Sequence, residues 1–394
     1  MAASGDERYL TTAEVARRLE VKPATVYAYV SRGLLNRVPG KRGSLFAEGE
    51  VSRLAGRGRE SRRPVSPLEH VATSLSLLAD DELYFRGRRV ADLAVRSSAE
   101  AVANLLWTGE LADPGRFTAP SALLDSVRAA IAALPASARL TDQLRVAVAV
   151  AGAADPLRFD LAPEAVTRAA RTLLAVLVDS VAPTVQPGSL ADRLWPALTE
   201  RPQPPGLLNA LLILLADHDL AVSTVAARVA ASARAHPYAV VSAGLGALDG
   251  HYHGTASTQV YRFLAEALAD PVGALSERLR AGGGVPGFGH RVYQHRDPRA
   301  VLVFDLLRAA NPGSPALAAA DAISAELGER TFGTVDVAIA VLMHEHGLRP
   351  DAGEAIFAVA RTVGWIAHAM EEYREPGLRF RPVGVYIGER PRSR

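Results

Sequence analysis

A chain of 394 residues with 49% apolar residues is long enough to bury at least one substantial core and more than one domain. It contains no cysteine, which excludes a disulfide framework and a thiolate metal site and suits a reducing cytoplasm. The N-terminus "MAASGDERYL" lacks a basic-then-apolar signal pattern, and no run of about eighteen apolar residues occurs anywhere, so a soluble, cytoplasmic protein is expected. The formal charge of +2 is unevenly spread: residues 1–65 carry 13 Lys or Arg against 7 Asp or Glu, a local +6 that leaves −4 for the remainder. A small basic module thus precedes a larger, mildly acidic one.

In "TTAEVARRLEV", Thr11 or Thr12 is a plausible helix cap, and Val15, Ala16 and Leu19 share one helical face. A turn at "KP" leads to "ATVYAYVSRGLL", a second short helix ending near Gly33. "NRVPGKRGSLFAEGEVSRL" then offers a glycine-containing hairpin bearing Arg37, Lys41 and Arg42, and a further helix start. Two short helices across a tight turn make a helix-turn-helix, whose second helix can enter a major groove. Residues 1–58 resemble the winged helix-turn-helix of MerR and excisionase regulators. Basic side chains supply phosphate affinity in such a module, and Thr25, Tyr27, Tyr29, Arg32, Arg37, Lys41 and Arg42 are the candidate DNA contacts. A module of this kind can also serve only for docking or dimerisation.

Residues 59–67, within the Arg-, Ser-, Gly- and Pro-rich "GRGRESRRPVSP", read as an exposed linker. From residue 68 onward long helical periodicity dominates, in segments such as "AEAVANLLWTGEL", "PSALLDSVRAAIAAL" and "EAIFAVARTVGWIAHAMEEY". Little alternates like a strand, and no repeat period or heptad run emerges. The class is mainly α.

Polar residues on this apolar background need explanation. His218 lies in "LLADHDL", His253 in "GALDGHYHGTAS", His290 in "VPGFGHRVYQHRDPRA" and Asp336 in "FGTVDVAIAVL". A lone His near an apolar face is usually a satisfied core or helix-end residue, and Asp336 could simply cap a helix. Arg361, inside "AIFAVARTVGW", requires a partner or a water-filled cleft. Metal binding is poorly supported, with little beyond His251 and His253 at short ligand spacing; no metal is expected.

From about residue 70 to residue 388 the chain resembles the citrate synthase family. The motifs are "ELYFRGRRVADLA", "LLWTGEL", "ADHDLAVSTVAARVAAS", "GALDGHYHGTASTQV", "PGFGHRVYQHRDPRA", "TVDVAIAVL", "ARTVGWIAH" and "RFRPVGVYIG", in the expected order. The resemblance implies a two-domain helical fold over residues 68–394, with a small domain at roughly 254–341. It implies a Claisen condensation of acetyl-CoA, or a short homologue, with oxaloacetate, releasing CoA and a tricarboxylate, as in the tricarboxylic acid cycle. The CoA ester is substrate and no further cofactor is expected.

By motif match, Asp336 is the base, His253 bonds the developing enol oxygen, and His290 polarises the oxaloacetate carbonyl. Arg299 and Arg361 grip carboxylates with help from His218, while Arg381 of "RFRP" reaches across from the partner of a homodimer. The loop Pro286, Gly287, Phe288 and Gly289 lets backbone groups approach the adenine of CoA. Several positions depart from the family. His251 and Tyr252 stand where Pro-Leu is usual, Val337, Ala338, Ile339 and Ala340 follow the base, and Leu215 and Ala221 replace a frequent His and Asn. The alternative is a DNA-binding regulator whose synthase-like part senses acyl-CoA or tricarboxylate without efficient turnover. Retention of the base favours the enzyme, because sensing does not require it.

Overall fold

A computed structural model describes residues 9–19, 21–31, 35–40, 43–51, 71–250, 253–254, 256–328, 331–380, 382 and 387–388. The chain divides into two compact units, the second beginning at Ala72. In the first, β1 (Tyr9–Thr11), α1 (Thr12–Arg18), α2 (Pro23–Ser31), β2 (Val38–Gly40) and β3 (Gly43–Ala47) precede a helical segment, α3, described over residues 48–51. The strands form an antiparallel sheet in the order β1-β3-β2. Thr11 caps α1 in a reciprocal box with Glu14, which satisfies two backbone donors at once. Leu10, Val15, Ala16, Val26, Leu35, Phe46 and Val51 close a small separate core. Tyr27 of α2 is exposed, Thr25 is half-buried and Arg37 is exposed, whereas Tyr29 packs against that core. Arg32, Lys41, Arg42 and the linker lie outside the described residues.

The second unit opens with a three-stranded antiparallel sheet that the sequence did not announce: β4 (Ser76–Ala79), β5 (Glu82–Phe85) and β6 (Arg88–Arg89). Strands of two to four residues are too short for alternation to register. Helices follow: α4 (Val90–Arg96), α5 (Ala99–Thr108), α6 (Ser121–Ala132), α7 (Leu140–Ala154), α8 (Pro163–Val181), α9 (Leu190–Leu198), α10 (Leu207–Leu214), α11 (Val222–Ser232) and α12 (Pro237–Leu248). They are joined by α13 (Ala256–Ala267), α14 (Pro271–Arg280), α15 (Pro298–Ala310), α16 (Pro315–Leu327), α17 (Val335–His346) and α18 (Ala352–Glu372).

The last helix is the axle of the unit. It packs against α5, α7, α8, α10, α11 and α12, and every residue in it except Phe357 and Glu371 is buried. A helix surrounded on all sides must be apolar all round, and its "AIFAVARTVGWIAHAM" run meets that demand. Three polar residues near its C-terminus share one partner: Arg228 of α11 donates to His368 Nδ1 at 2.8 Å and pairs with Glu371 at 2.8 Å and Glu372 at 3.1 Å. Helices α13 to α17 pack chiefly on one another, α13 against α14, α16 and α17, and α15 against α17. No helix among the described residues is long and apolar enough to cross a membrane.

Candidate active site

Six residues singled out in the sequence line one cavity of about 430 Å³: His218, His253, His290, Arg299, Asp336 and Arg361. They arrive from six places: the turn before α11, the turn after α12, the loop before α15, and the helices α15, α17 and α18. The seventh, Arg381, lies outside the described residues, as do His251 and Tyr252.

Asp297 joins the two helices that matter most. Its carboxylate holds Arg299 bidentately, with Nε at 2.9 Å and Nη2 at 2.8 Å, and also accepts the Arg299 backbone N–H at 3.0 Å. The same group accepts the backbone N–H of Val335 at 2.9 Å, where Thr334 gives α17 no side-chain cap. One buried carboxylate therefore closes the N-termini of both α15, which carries Arg299, and α17, which carries Asp336. Burial alone would raise the Asp297 carboxyl and lower the Arg299 guanidinium, but their mutual attraction outweighs it in each case, so Asp297 is lowered and Arg299 raised. Asp336 differs. Burial pushes its carboxyl up, and the nearby Arg299 does not cancel the shift, which makes it a stronger base than an ordinary aspartate.

The imidazoles are neutral at ordinary pH. His253 is pushed down to about 4 by burial and by the charge of Arg361; its Nε2 meets Ser223 Oγ at 2.8 Å. His290 and His218 are also lowered by burial and by Arg299. The His290 Nδ1 accepts backbone N–H groups from Val292 at 3.1 Å and Tyr293 at 3.3 Å. An acceptor at Nδ1 forces the proton of the neutral ring onto Nε2. His218 meets Tyr293 Oη at 3.0 Å and sits edge-on to His290 with ring centroids 5.5 Å apart.

Arg361 is buried. Its Nε donates to the Leu215 carbonyl at 2.8 Å, its guanidinium lies 4.5 Å over Phe357, and burial depresses it to about 10, still protonated at neutral pH. Among the described residues its Nη1 has no hydrogen-bond partner. An orphaned buried donor beside a cavity is suited to an anion. That bond uses the Leu215 backbone and so does not depend on the side chain at this position. Close approach of that turn to α18 requires Gly364, where a Cβ would stand 2.4 Å from the Ala216 carbonyl.

The glycine loop is stitched to α17. Gly287 adopts φ +79, and a Cβ there would meet Val337 at 2.6 Å; Thr334 N–H donates to the Gly287 carbonyl, and Gly289 N–H to that of Phe332, both at 2.8 Å. Of Pro286, Gly287, Phe288 and Gly289, only Gly289 is among the cavity lining. Val337, Ala338, Ile339 and Ala340 are all buried on α17, which explains why an apolar run is tolerated after the acid. Ser223, Asp297, Tyr293 and Phe357 escaped the sequence reading. Among the described residues, no group of three or more His, Cys, Asp or Glu side chains could hold a metal ion.

Residues 67–383 match the family described as citrate synthase, C-terminal domain. The chain belongs to the citrate synthase family. It is 31% identical over 369 residues to a citrate synthase of Acidithiobacillus ferridurans, covering 82% of this chain and 95% of that one. It is 31% identical over 343 residues to a 2-methylcitrate synthase of Mycobacterium tuberculosis, covering 79% and 86%. The crystal structure of citrate synthase from Thermotoga maritima superposes with a TM-score of 0.69 at 27% identity, covering 84% of this chain and 97% of that one. That from Pyrobaculum aerophilum gives 0.70 at 26%, covering 91% and 96%. The protein is an enzyme of the citrate synthase type, mainly helical, and the comparisons lend no support to a regulator without turnover.

Proposed function

We propose that the cavity condenses acetyl-CoA or a short homologue with oxaloacetate, without a cofactor beyond the CoA ester. Asp336 takes a proton from the carbon next to the thioester, and His253 donates a hydrogen bond to the thioester oxygen as it gains enol character. The carbon attacks the ketone of oxaloacetate, which a hydrogen bond from His290 Nε2 polarises, and the proton that Asp336 removed neutralises the alkoxide so formed. Water then cleaves the thioester, releasing CoA and leaving a tricarboxylate. Arg299 and Arg361 hold carboxylates with His218, and Arg381 completes the grip from the partner of a homodimer. The loop of residues 286–289 belongs to the CoA site, and residues 254–341 form the smaller lobe.

The observation that carries this reading is the convergence of Asp336, His253 and His290 with two arginines on one cavity. Relatives named citrate synthase and 2-methylcitrate synthase stand at equal identity, so the acyl group is tested directly. Oxaloacetate-dependent thiol release is measured with acetyl-CoA and propionyl-CoA. Asp336→Ala and His253→Ala each lower turnover at least about a hundredfold; an inactive parent refutes the reading.

The first unit supports a second proposal. Its paired short helices and antiparallel sheet fit a winged helix-turn-helix, with Thr25, Tyr27, Tyr29, Arg32, Arg37, Lys41 and Arg42 as DNA contacts. Retention of the protein on DNA at low salt, lost on deleting residues 1–60, is the expected result. No retention assigns the unit to docking.

A further inference from the structure

We infer that Asp81, at the tip of the β4–β5 hairpin, is a positioning residue for His290, and that this hairpin sets the two histidine loops of the cavity against each other. The inference rests on the condensation reading above. The hairpin brings no reacting group of its own, and only Leu78 of it reaches the cavity wall.

Its geometry is specified locally. Ala79 stands opposite Glu82, which leaves a two-residue turn, Asp80 and Asp81, with φ of 52 and 55. Both positions of such a turn need a left-handed backbone, which Asp and Asn tolerate better than other side-chain-bearing residues. The turn delivers the Asp81 carboxylate to a loop 213 positions further along the chain, where it accepts the backbone N–H of Gln294 at 2.6 Å and of His295 at 2.8 Å. Glu82 beside it pairs with Arg296, and Arg89 holds Glu82 at 2.9 Å through both Nε and Nη2.

Four consecutive N–H groups of that loop are thereby divided between two acceptors. Those of Val292 and Tyr293 go to His290 Nδ1, and those of Gln294 and His295 go to Asp81. The loop is neither helix nor strand, so nothing in its own backbone ladder fixes the first pair. Asp81 fixes the second pair and, through it, the ring angle and the Nε2 proton of His290.

At its other end the hairpin does the same for His218. The Ser76 hydroxyl donates to Asp217 Oδ2 at 2.7 Å and accepts the Asp219 N–H at 3.1 Å, bracketing His218 on both sides. A purely structural hairpin would need only its buried face of Leu83 and Phe85. These polar contacts converge instead on two loops 70 or more residues apart whose histidines touch.

The test uses full-length protein with [2-13C]oxaloacetate, whose ketone carbon resonance moves downfield when its oxygen is polarised. The parent displaces the resonance on binding. Asp81→Asn keeps the turn and one acceptor oxygen; it loses at least half of the displacement and about tenfold in kcat, while KM for the acyl-CoA and the melting temperature stay those of the parent. Asp80→Asn, at an exposed turn position, matches the parent throughout. Ser76→Ala raises KM for oxaloacetate severalfold. Parent-like resonance and kcat in Asp81→Asn overturn the inference alone. A parent that leaves the resonance unmoved overturns the condensation reading, a result visible before any variant is made.

Discussion

Ser223→Ala removes the only hydrogen bond made by the His253 ring among the described residues, the 2.8 Å contact between Nε2 and the serine oxygen. His253 is neutral, being pushed down to about 4, so one ring nitrogen donates and the other accepts. The Ser223 hydroxyl can donate or accept, so what the bond fixes is the orientation of the ring. Without the hydroxyl the ring can turn, and a half-buried nitrogen loses its partner. Leaving such a group unsatisfied costs about 1–3 kcal/mol, which is roughly a fivefold to hundredfold loss in rate if the full amount is felt in the transition state. Removing the donor itself costs about a hundredfold or more. The order of kcat is therefore parent, then Ser223→Ala, then His253→Ala, measured as thiol release at saturating oxaloacetate. Parent-like kcat in Ser223→Ala refutes the claim that this bond holds the ring in its working orientation.

The remaining predictions concern the carboxylates. Because burial raises Asp336 and catalysis needs it ionised, kcat/KM is full above its raised value and falls as pH drops through it, an acid limb lying above the ordinary aspartate range; a limb at or below that range refutes the assignment. The same raised value means that ionised Asp336 destabilises the fold at neutral pH, so Asp336→Asn melts no lower than the parent there, and its advantage shrinks as pH falls toward the ordinary aspartate value. Asp297→Asn leaves two of four donors facing an amide and strands a buried guanidinium, at a cost of about 3–5 kcal/mol; a thermal melt reads it as a drop of about 5 °C or more, and an unchanged melt refutes the double-cap role.

The catalytic constellation was legible because its residues are chemically conspicuous. An Arg inside "AIFAVARTVGW" or a His beside a glycine in a loop has few uses in a core, and family motifs fixed their order. Residues that hold this set in place were not legible, because Asp81, Ser76, Ser223 and Asp297 are ordinary turn and cap residues by sequence. Their importance comes from tertiary approach across 213, 141, 30 and 38 positions respectively. Asp297 even sat inside the quoted "DPR" and read only as part of a signature. The helical class followed from periodicity, while β4, β5 and β6 did not, since such short strands carry too few residues for a period of two.

A single electrostatic conflict accounts for much of the design. A dicarboxylate must be held by cations, yet cations acidify the aspartate that has to act as base. With all three imidazoles neutral, the charge comes from Arg299 and Arg361, both facing the cavity that Asp336 lines. Asp297 resolves the conflict by occupying Nε and Nη2 of Arg299, so much of that charge is spent locally and Asp336 stays raised. Its own negative charge raises Asp336 further. The arginine keeps its planar edge for the substrate, and the aspartate keeps its basicity. It follows that Asp297→Asn moves the acid limb of kcat/KM to lower pH, because it removes a charge that repels the ionised Asp336 and frees that of Arg299 to stabilise it.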